Sequence, residues 1–266
     1  MSFTDQRLIT SNALPTAFVG ACNYTRLLAD SSFWAALRNN FLFVVVVTPL
    51  QPALALGLAR LVNQQLAGAR IFRTTYFMLV ATTVAVVAVI WSLLYSPDAG
   101  VIYRLAGLPS FGTMGLQDWL RDPMLVLPAV MLMSIWQGKG FQMLVFFAGL
   151  QVIPGDLYEA ATFDGAKFFN QFRFITLPLL KNTTVFVLFT TTIYAFQLFT
   201  QLQSIANSGA SAPIFSFRTL VTLMVQEGFR NGKVGCACAV SVVFFLIVLP
   251  ISTVQCVWLR SEENAA

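Results

Sequence analysis

Asp156, Glu159, Asp164, Lys167 and Arg173 lie within eighteen positions of a chain that is only 10% charged. Three carboxylates and two cations so close together raise the question of catalysis or metal binding. The sequence has no histidine, which removes the commonest general base and the commonest metal ligand. No nucleophile is accompanied by a base, so an enzyme is disfavoured. The four cysteines, Cys22, Cys236, Cys238 and Cys256, include one pair two apart on an expected helix, pointing in different directions. They form no metal-ligand set and read as small packing residues. A second group consists of Trp136, Gln137, Lys139, Gln142, Tyr194, Gln197 and Gln201. These are aromatic, amide and ammonium groups set in otherwise apolar sequence, and their chemistry is ring contact and hydrogen bonding.

The elements that must carry the first group are legible. Residues 153–180 are amphipathic and punctuated as two short helices. Pro154 and Asp156 form a start signal, with Glu159 three residues after Asp156 in the capping-box position. Asp164-Gly165 makes a turn, glycine being free to adopt the left-handed conformation that ends a helix. Lys167 to Ile175 is expected to form the second helix, limited by Pro178.

Around this stretch the chain is 57% hydrophobic, with a mean hydropathy of +0.74. Soluble domains carry roughly 25% charged residues. The expected class is all-α, a polytopic helical membrane protein with one integral domain at 39–259. Spans are expected at about 39–59, 74–97, 124–150, 182–200 and 234–259. An extracytoplasmic segment, 1–38, precedes them, and a cytoplasmic tail, 260–266, follows. Pro49 and Pro52 should kink the first span, and Gly138 and Gly140 should break or kink the third. After the fourth span, 200–213 reads as polar loop, and 218–233 as an amphipathic surface helix. The net charge of +5 is spread over loops without a basic block, so nucleic acid is not an expected partner. The density of Lys and Arg places 60–73, 153–180 and the C-terminus on the cytoplasmic side.

The stretch 153–180 closely resembles the EAA loop of ABC importer permeases. The resemblance rests on Glu159-Ala160-Ala161, Gly165 four residues on, and Ile175-Thr176-Leu177-Pro178. AGLQVIPGDLYEAATFDGA, FVGACNYTRLLAD, RIFRTTYFML and LPAVMLMSIWQGKGF resemble the carbohydrate-uptake branch, with its oligosaccharide and glycerol-3-phosphate permeases. The likeness covers nearly the whole chain. It implies the type I importer permease fold, about five transmembrane helices and a cytoplasmic coupling loop. It implies as partners a second permease in a heterodimer, two ATPase subunits, an extracytoplasmic solute-binding protein and the lipid bilayer. It implies no cofactor in this chain, ATP and Mg being held by the ATPases, and a location in the cytoplasmic (inner) membrane of a prokaryote. In one respect the chain departs from the family. There a first membrane helix precedes the segment that here reads SFTDQRLITSNALPTAFVGACNY, whereas this chain starts at Met1-Ser2-Phe3. The expectation is that the native start lies upstream or that the first helix has been lost.

The resemblance assigns ATPase coupling to Glu159, Ala160, Ala161, Asp164, Gly165, Phe168, Phe172, Leu177 and Pro178. Glu159 keeps a second reading, as the N3 residue of a capping box, worth about 1 kcal/mol. Phe168 and Phe172, four apart on one helix face, either pack on the chain's own span ends or seat in an ATPase pocket. Trp136, Gln137, Gln142, Tyr194, Gln197 and Gln201 either line a sugar path or form interhelical hydrogen bonds between permease subunits. Tyr194, Gln197 and Gln201 should share one helix face. Lys139, costly at membrane depth, either reaches water or a partner carboxylate, or attracts an anionic or strongly polar solute. The competing class is an ion-coupled secondary transporter or channel. It would need intramembrane carboxylates, which the expected spans lack, and it leaves the EAA pattern unexplained.

Overall fold

The computed structural model describes residues 1–8, 17–64, 71, 74, 76, 78, 82–96, 119–207 and 217–263. Parts of the expected N-terminal segment, of the link at 60–73, of the second span, of the loops at 98–122 and 200–217, and of the tail lie outside the described residues. Among those described, the secondary structure is helical: α1 Cys22–Ala29, α2 Ser31–Asn63, α3 Val84–Leu94, α4 Val126–Val152, α5 Gly155–Phe163, α6 Phe168–Gln171, α7 Leu177–Leu179, α8 Lys181–Phe196, α9 Thr200–Asn207, α10 Leu220–Val225 and α11 Val234–Glu263. Two π turns, Phe172–Thr176 and Gln226–Arg230, join α6 to α7 and follow α10.

Among the described residues, three stretches are long and apolar enough to cross a membrane: Ser31–Asn63, Lys181–Ala206 and Val234–Gln255. The pair α4 and α5, bent by 70° at its break, passes the same test together. The helix α2 begins eight residues before the expected span. Asp30 Oδ1 accepts a hydrogen bond from Ser32 N at 2.8 Å, and Phe33 and Ala36 are buried, so cap and packing extend the helix past its apolar run. It also continues through Pro49 and Pro52. Of the break or kink expected of α4 at Gly138 and Gly140, the break is corrected, since that helix is continuous. Gly138 is instead where the Gln51 side chain packs, in space a Cβ would occupy.

The helices pack in two units. One contains 1–45, 84–131 and 193–254. Its core joins Leu27, Phe33 and Ala36 to Leu220, Leu223 and Val240. One face of the segment 218–233, expected as an amphipathic surface helix, packs inside, with Thr219, Leu220, Leu223 and Gly228 buried, while Phe229, Arg230, Asn231 and Lys233 are exposed. Thr219 caps α10 through a reciprocal bond with Thr222 and donates to Leu198 O at 3.0 Å. Asn40, buried, donates to Phe196 O at 3.1 Å and accepts from Leu220 N at 3.0 Å. Both functions of an amide in an apolar setting are thus satisfied. Residues 200–207 form α9, which packs against α3 through its buried Leu202 and Ile205. The expected polar loop there is corrected to a helix, because its apolar positions three apart find a neighbour.

The other unit contains 46–83, 132–192 and 255–266. Ala55, Leu56, Ala59 and Val62 of α2 pack with Met143, Phe146 and Leu150 of α4, and with Leu180 and Val187. Gly149 leaves room for Leu180 and Thr183, whose side-chain atoms would lie 2.8 and 2.9 Å from a Cβ there. Two neighbouring threonines of α8 receive glutamines: Gln142 Nε2 donates to Thr191 Oγ1 at 2.6 Å and Gln255 Nε2 to Thr192 Oγ1 at 2.9 Å.

Candidate functional site: an exposed helical hairpin

Residues 153–180 fall in the second of these units and form a hairpin. Helix α4 stops because Pro154 is extended, with φ −60° and ψ 134°. The helix α5 then starts at Gly155 with no side-chain cap. The expected capping box is thereby corrected. Gly155 is already helical, so Asp156 sits inside the first turn, where its charge favours the positive helix end. Glu159 has no capping role, and its carboxylate is exposed. That removes the local explanation for the glutamate of the EAA pattern.

The turn forms as the sequence indicates. Gly165 has φ +77°, and Ala166 N donates to Ala161 O at 2.8 Å, closing the end of α5. The second helix differs from expectation. The helix α6 is one turn, Phe168–Gln171, followed by the π turn Phe172–Thr176. The helical path then continues through Pro178 instead of ending there. A proline clashes with the carbonyl four residues back and donates no hydrogen bond. The π turn resolves this by moving the preceding bond one residue along, Leu177 N donating to Phe172 O.

Side chains that sequence reasoning missed hold the two arms together. Gln171 Nε2 donates to Thr162 Oγ1 at 3.0 Å and to Ala166 O at 3.2 Å. Tyr158 Oη lies 3.0 Å from Thr176 Oγ1, and Thr176 is buried. The Arg60 guanidinium at the end of α2 lies 3.6 Å from the Phe168 ring centre and 4.6 Å from that of Phe172. The side chains of Gln171 and Thr162 are 9 residues apart and those of Tyr158 and Thr176 are 18 apart, spacings that carry no periodic signal, and Arg60 is 108 residues from Phe168 in sequence, so no local pattern marks them.

The hairpin is braced but uncovered. No residue of α5, α6 or α7 is buried. Phe163 is 92% exposed, Phe169 68% and Phe174 70%. Glu159, Ala160, Asp164, Gly165, Phe168, Leu177 and Pro178 are exposed, while Ala161 and Phe172 are half-buried. Phe172 packs against its unit's core. The two readings of the aromatic pair thus divide between the residues. Phe172 serves packing, and Phe168 keeps most of its ring open. An apolar surface of this kind, rimmed by charge, is the form of a protein-docking site.

The second predicted group is divided between the two units. Trp136, Gln137, Lys139 and Gln142 belong to one unit, and Tyr194, Gln197 and Gln201 to the other. The expected common face of the latter three is interrupted, because regular helix stops at Phe196 and resumes at Thr200. Tyr194 and Gln197 are exposed and Gln201 is half-buried. Gln142 is buried, and its Oε1 has no hydrogen-bond partner among the described residues. Trp136, Gln137 and Lys139 are half-buried, with Lys139 Nζ 6.0 Å from the Tyr76 ring centre.

Residues 51–256 match the family model described as "Binding-protein-dependent transport system inner membrane component". The chain is 30% identical to the trehalose/maltose transport system permease protein MalF of Thermococcus litoralis, over 89% of this chain and 78% of that protein. It is 32% identical to the sn-glycerol-3-phosphate transport system permease protein UgpA of Agrobacterium fabrum, over 91% of this chain and 80% of that one. Among solved structures it is similar to a chain of a bacterial alginate ABC transporter in complex with an alginate pentasaccharide-bound periplasmic protein. The TM-score there is 0.73 at 20% identity, covering 90% of this chain and 82% of that one, which shows a shared fold. With most of its length inside the family model and apolar helices long enough to cross a bilayer, this chain belongs to the family of membrane permease components of binding-protein-dependent ABC transport systems.

Proposed function

We propose that this permease moves a carbohydrate or a related polar solute, such as an oligosaccharide, a sugar derivative or a glycerol-phosphate compound, across the cytoplasmic membrane of a prokaryote. In this reading it pairs with a second permease, docks two ATPase subunits from the cytoplasm and receives solute from an extracytoplasmic binding protein. ATP and Mg are held by the ATPases. The chain performs no covalent step. ATP binding closes the ATPases, and the hairpin 153–180 transmits that movement to the spans, which switch between inward- and outward-facing states. Such a switch requires contacts that differ between the two states.

The observation that carries the reading is the hairpin itself. It is braced by Arg60, Gln171 and Tyr158, yet Glu159 and a set of phenylalanines stay exposed. Bracing without covering suits a lever whose cover is another subunit. The solute path is assigned to Trp136, Gln137, Lys139, Gln142, Tyr194, Gln197 and Gln201. The unpartnered Gln142 Oε1 supports this, being an acceptor ready for a hydroxyl group. The names of the relatives support a carbohydrate or glycerol-phosphate solute. The test is Glu159→Ala in the complete complex in liposomes, with ATP hydrolysis and uptake by proteoliposomes measured together. Uncoupled hydrolysis or lost ATPase subunits support the reading. Normal assembly with normal uptake per ATP overturns it.

A further inference from the structure

We propose that Arg60 is the positioning residue of the coupling hairpin: it seats Phe168 and so fixes the angle at which α5 and α6 meet their partner. The proposal rests on the reading of 153–180 as the ATPase-coupling element. It assigns a role to a residue outside that stretch.

The geometry is a wedge. Arg60 lies in the last turn of α2, between Ala59 and Val62, which belong to the packed core of their unit. Its backbone is therefore held. Its guanidinium lies 3.6 Å from the Phe168 ring centre and 4.6 Å from that of Phe172. The same group reaches back to the main chain, Nη2 donating to Phe168 O at 3.4 Å. Phe168 is the first residue of α6. A single flat cation thus touches two rings and one carbonyl at the start of the helical path that runs from Phe168 through the π turn to Leu179. The first turn of a helix frays most readily, so its direction is set by what it rests on.

The contact leaves the ring usable. Phe168 is 61% exposed despite the guanidinium beside it. One part of the ring is fixed from within the chain and the rest remains for a partner. Holding a contact residue in its bound orientation lowers the ordering cost of binding. The arm carrying Glu159 follows, because Gln171 ties α6 to Thr162 and Ala166, and Tyr158 reaches Thr176.

A simpler role would be a plain positive charge, complementing the C-terminal end of α2 or the cytoplasmic surface. Lysine would serve that role equally well. Flat stacking combined with hydrogen bonding from the same group is specific to a guanidinium. The comparison of lysine with arginine therefore decides the matter.

The experiment uses the complete importer purified with its partner subunits. The four native cysteines are replaced, and nitroxide labels are placed at Leu61 and Asn170, on α2 and α6. Electron paramagnetic resonance gives the distance distribution between them. ATP hydrolysis is measured with and without the importer's binding protein, used as purified from its host. The expected result for Arg60→Ala and Arg60→Lys alike is a broadened, shifted distribution and a loss of about fivefold in stimulation by the binding protein, the scale of a lost cation–π contact. Arg60→Ala combined with Phe168→Ala should lose no more stimulation than Phe168→Ala alone. If Arg60→Ala fails to assemble, Arg60→Gln, flat and hydrogen-bonding but uncharged, should hold the native distance better than Arg60→Lys. A native distribution in Arg60→Lys, or a lysine variant that outperforms glutamine, overturns the role given to Arg60. A broadened distribution with native stimulation overturns instead the reading of the hairpin as the coupling element.

Discussion

Two short helices of this chain run directly into π turns, and their surroundings are opposite. One is α6 with Phe172–Thr176, the other α10 with Gln226–Arg230. Both lie between long helices, and in both the charged residues sit in the π turn: Arg173 in one, Glu227 and Arg230 in the other. The helix α10 is covered by its own chain. Thr219 caps it, Asn40 receives its first backbone N–H, and Leu220 and Leu223 are 0% and 2% exposed. The helix α6 has no side-chain cap and no buried residue. The difference lies in where the apolar residues find their partners. In α10 they are spent on internal packing. In the hairpin most are left over, and the bracing comes from polar groups at its base. A segment that keeps a defined shape while withholding its apolar side chains from its own fold is prepared for a contact outside it.

Substitutions can break this contrast, and the largest effect should come from the covered helix. Leu223→Ala leaves a cavity and should cost about 2–5 kcal/mol of stability, read as a lower melting temperature of the purified permease in detergent. Asn40→Leu strands Leu220 N and Phe196 O and should cost about 1–3 kcal/mol, in the same assay. Gly165→Ala forces a side chain into the left-handed region at φ +77° and should cost about 1–2 kcal/mol, with a drop in ATP-driven uptake larger than that strain alone explains. Phe174→Ala should change stability by less than about 0.5 kcal/mol, while weakening co-purification of the ATPase subunits. If Phe174→Ala destabilises the isolated permease as strongly as Leu223→Ala, the ring is structural and the contrast fails.

Much of the hairpin is legible in the sequence because it follows from local chemistry. Pro154 separates two helices and Gly165 makes the turn, and neither needs a distant partner. The capping box is not formed, since Pro154 takes the N-cap place and Gly155 joins the helix, which puts Asp156 two positions too far in. The π turn before Pro178 is equally hidden, because a proline signals only that a bond is lost and not how the backbone recovers. Gly138 shows the same limit in the long helices. A glycine flanked by polar residues reads as a break, yet Gln51, far away in sequence, turns it into a packing notch. The burial of Leu220 and Leu223 depends on Phe33 and Val240, which periodicity within the segment does not reveal. The helix at 200–207 was hidden in the same way, its polar composition masking the apolar pair Leu202 and Ile205.

The adjacent threonines of α8 have a mechanical consequence. Thr191 is bonded to a glutamine of α4, and Thr192 to one of α11. Successive residues of an α-helix point about 100° apart, so the two bonds grip α8 from different sides. Turning α8 about its own axis strains both at once, and sliding it along its axis does the same. The arrangement works like a keyed shaft: within their unit, Gln142 and Gln255 together hold this part of α8 in rotational register.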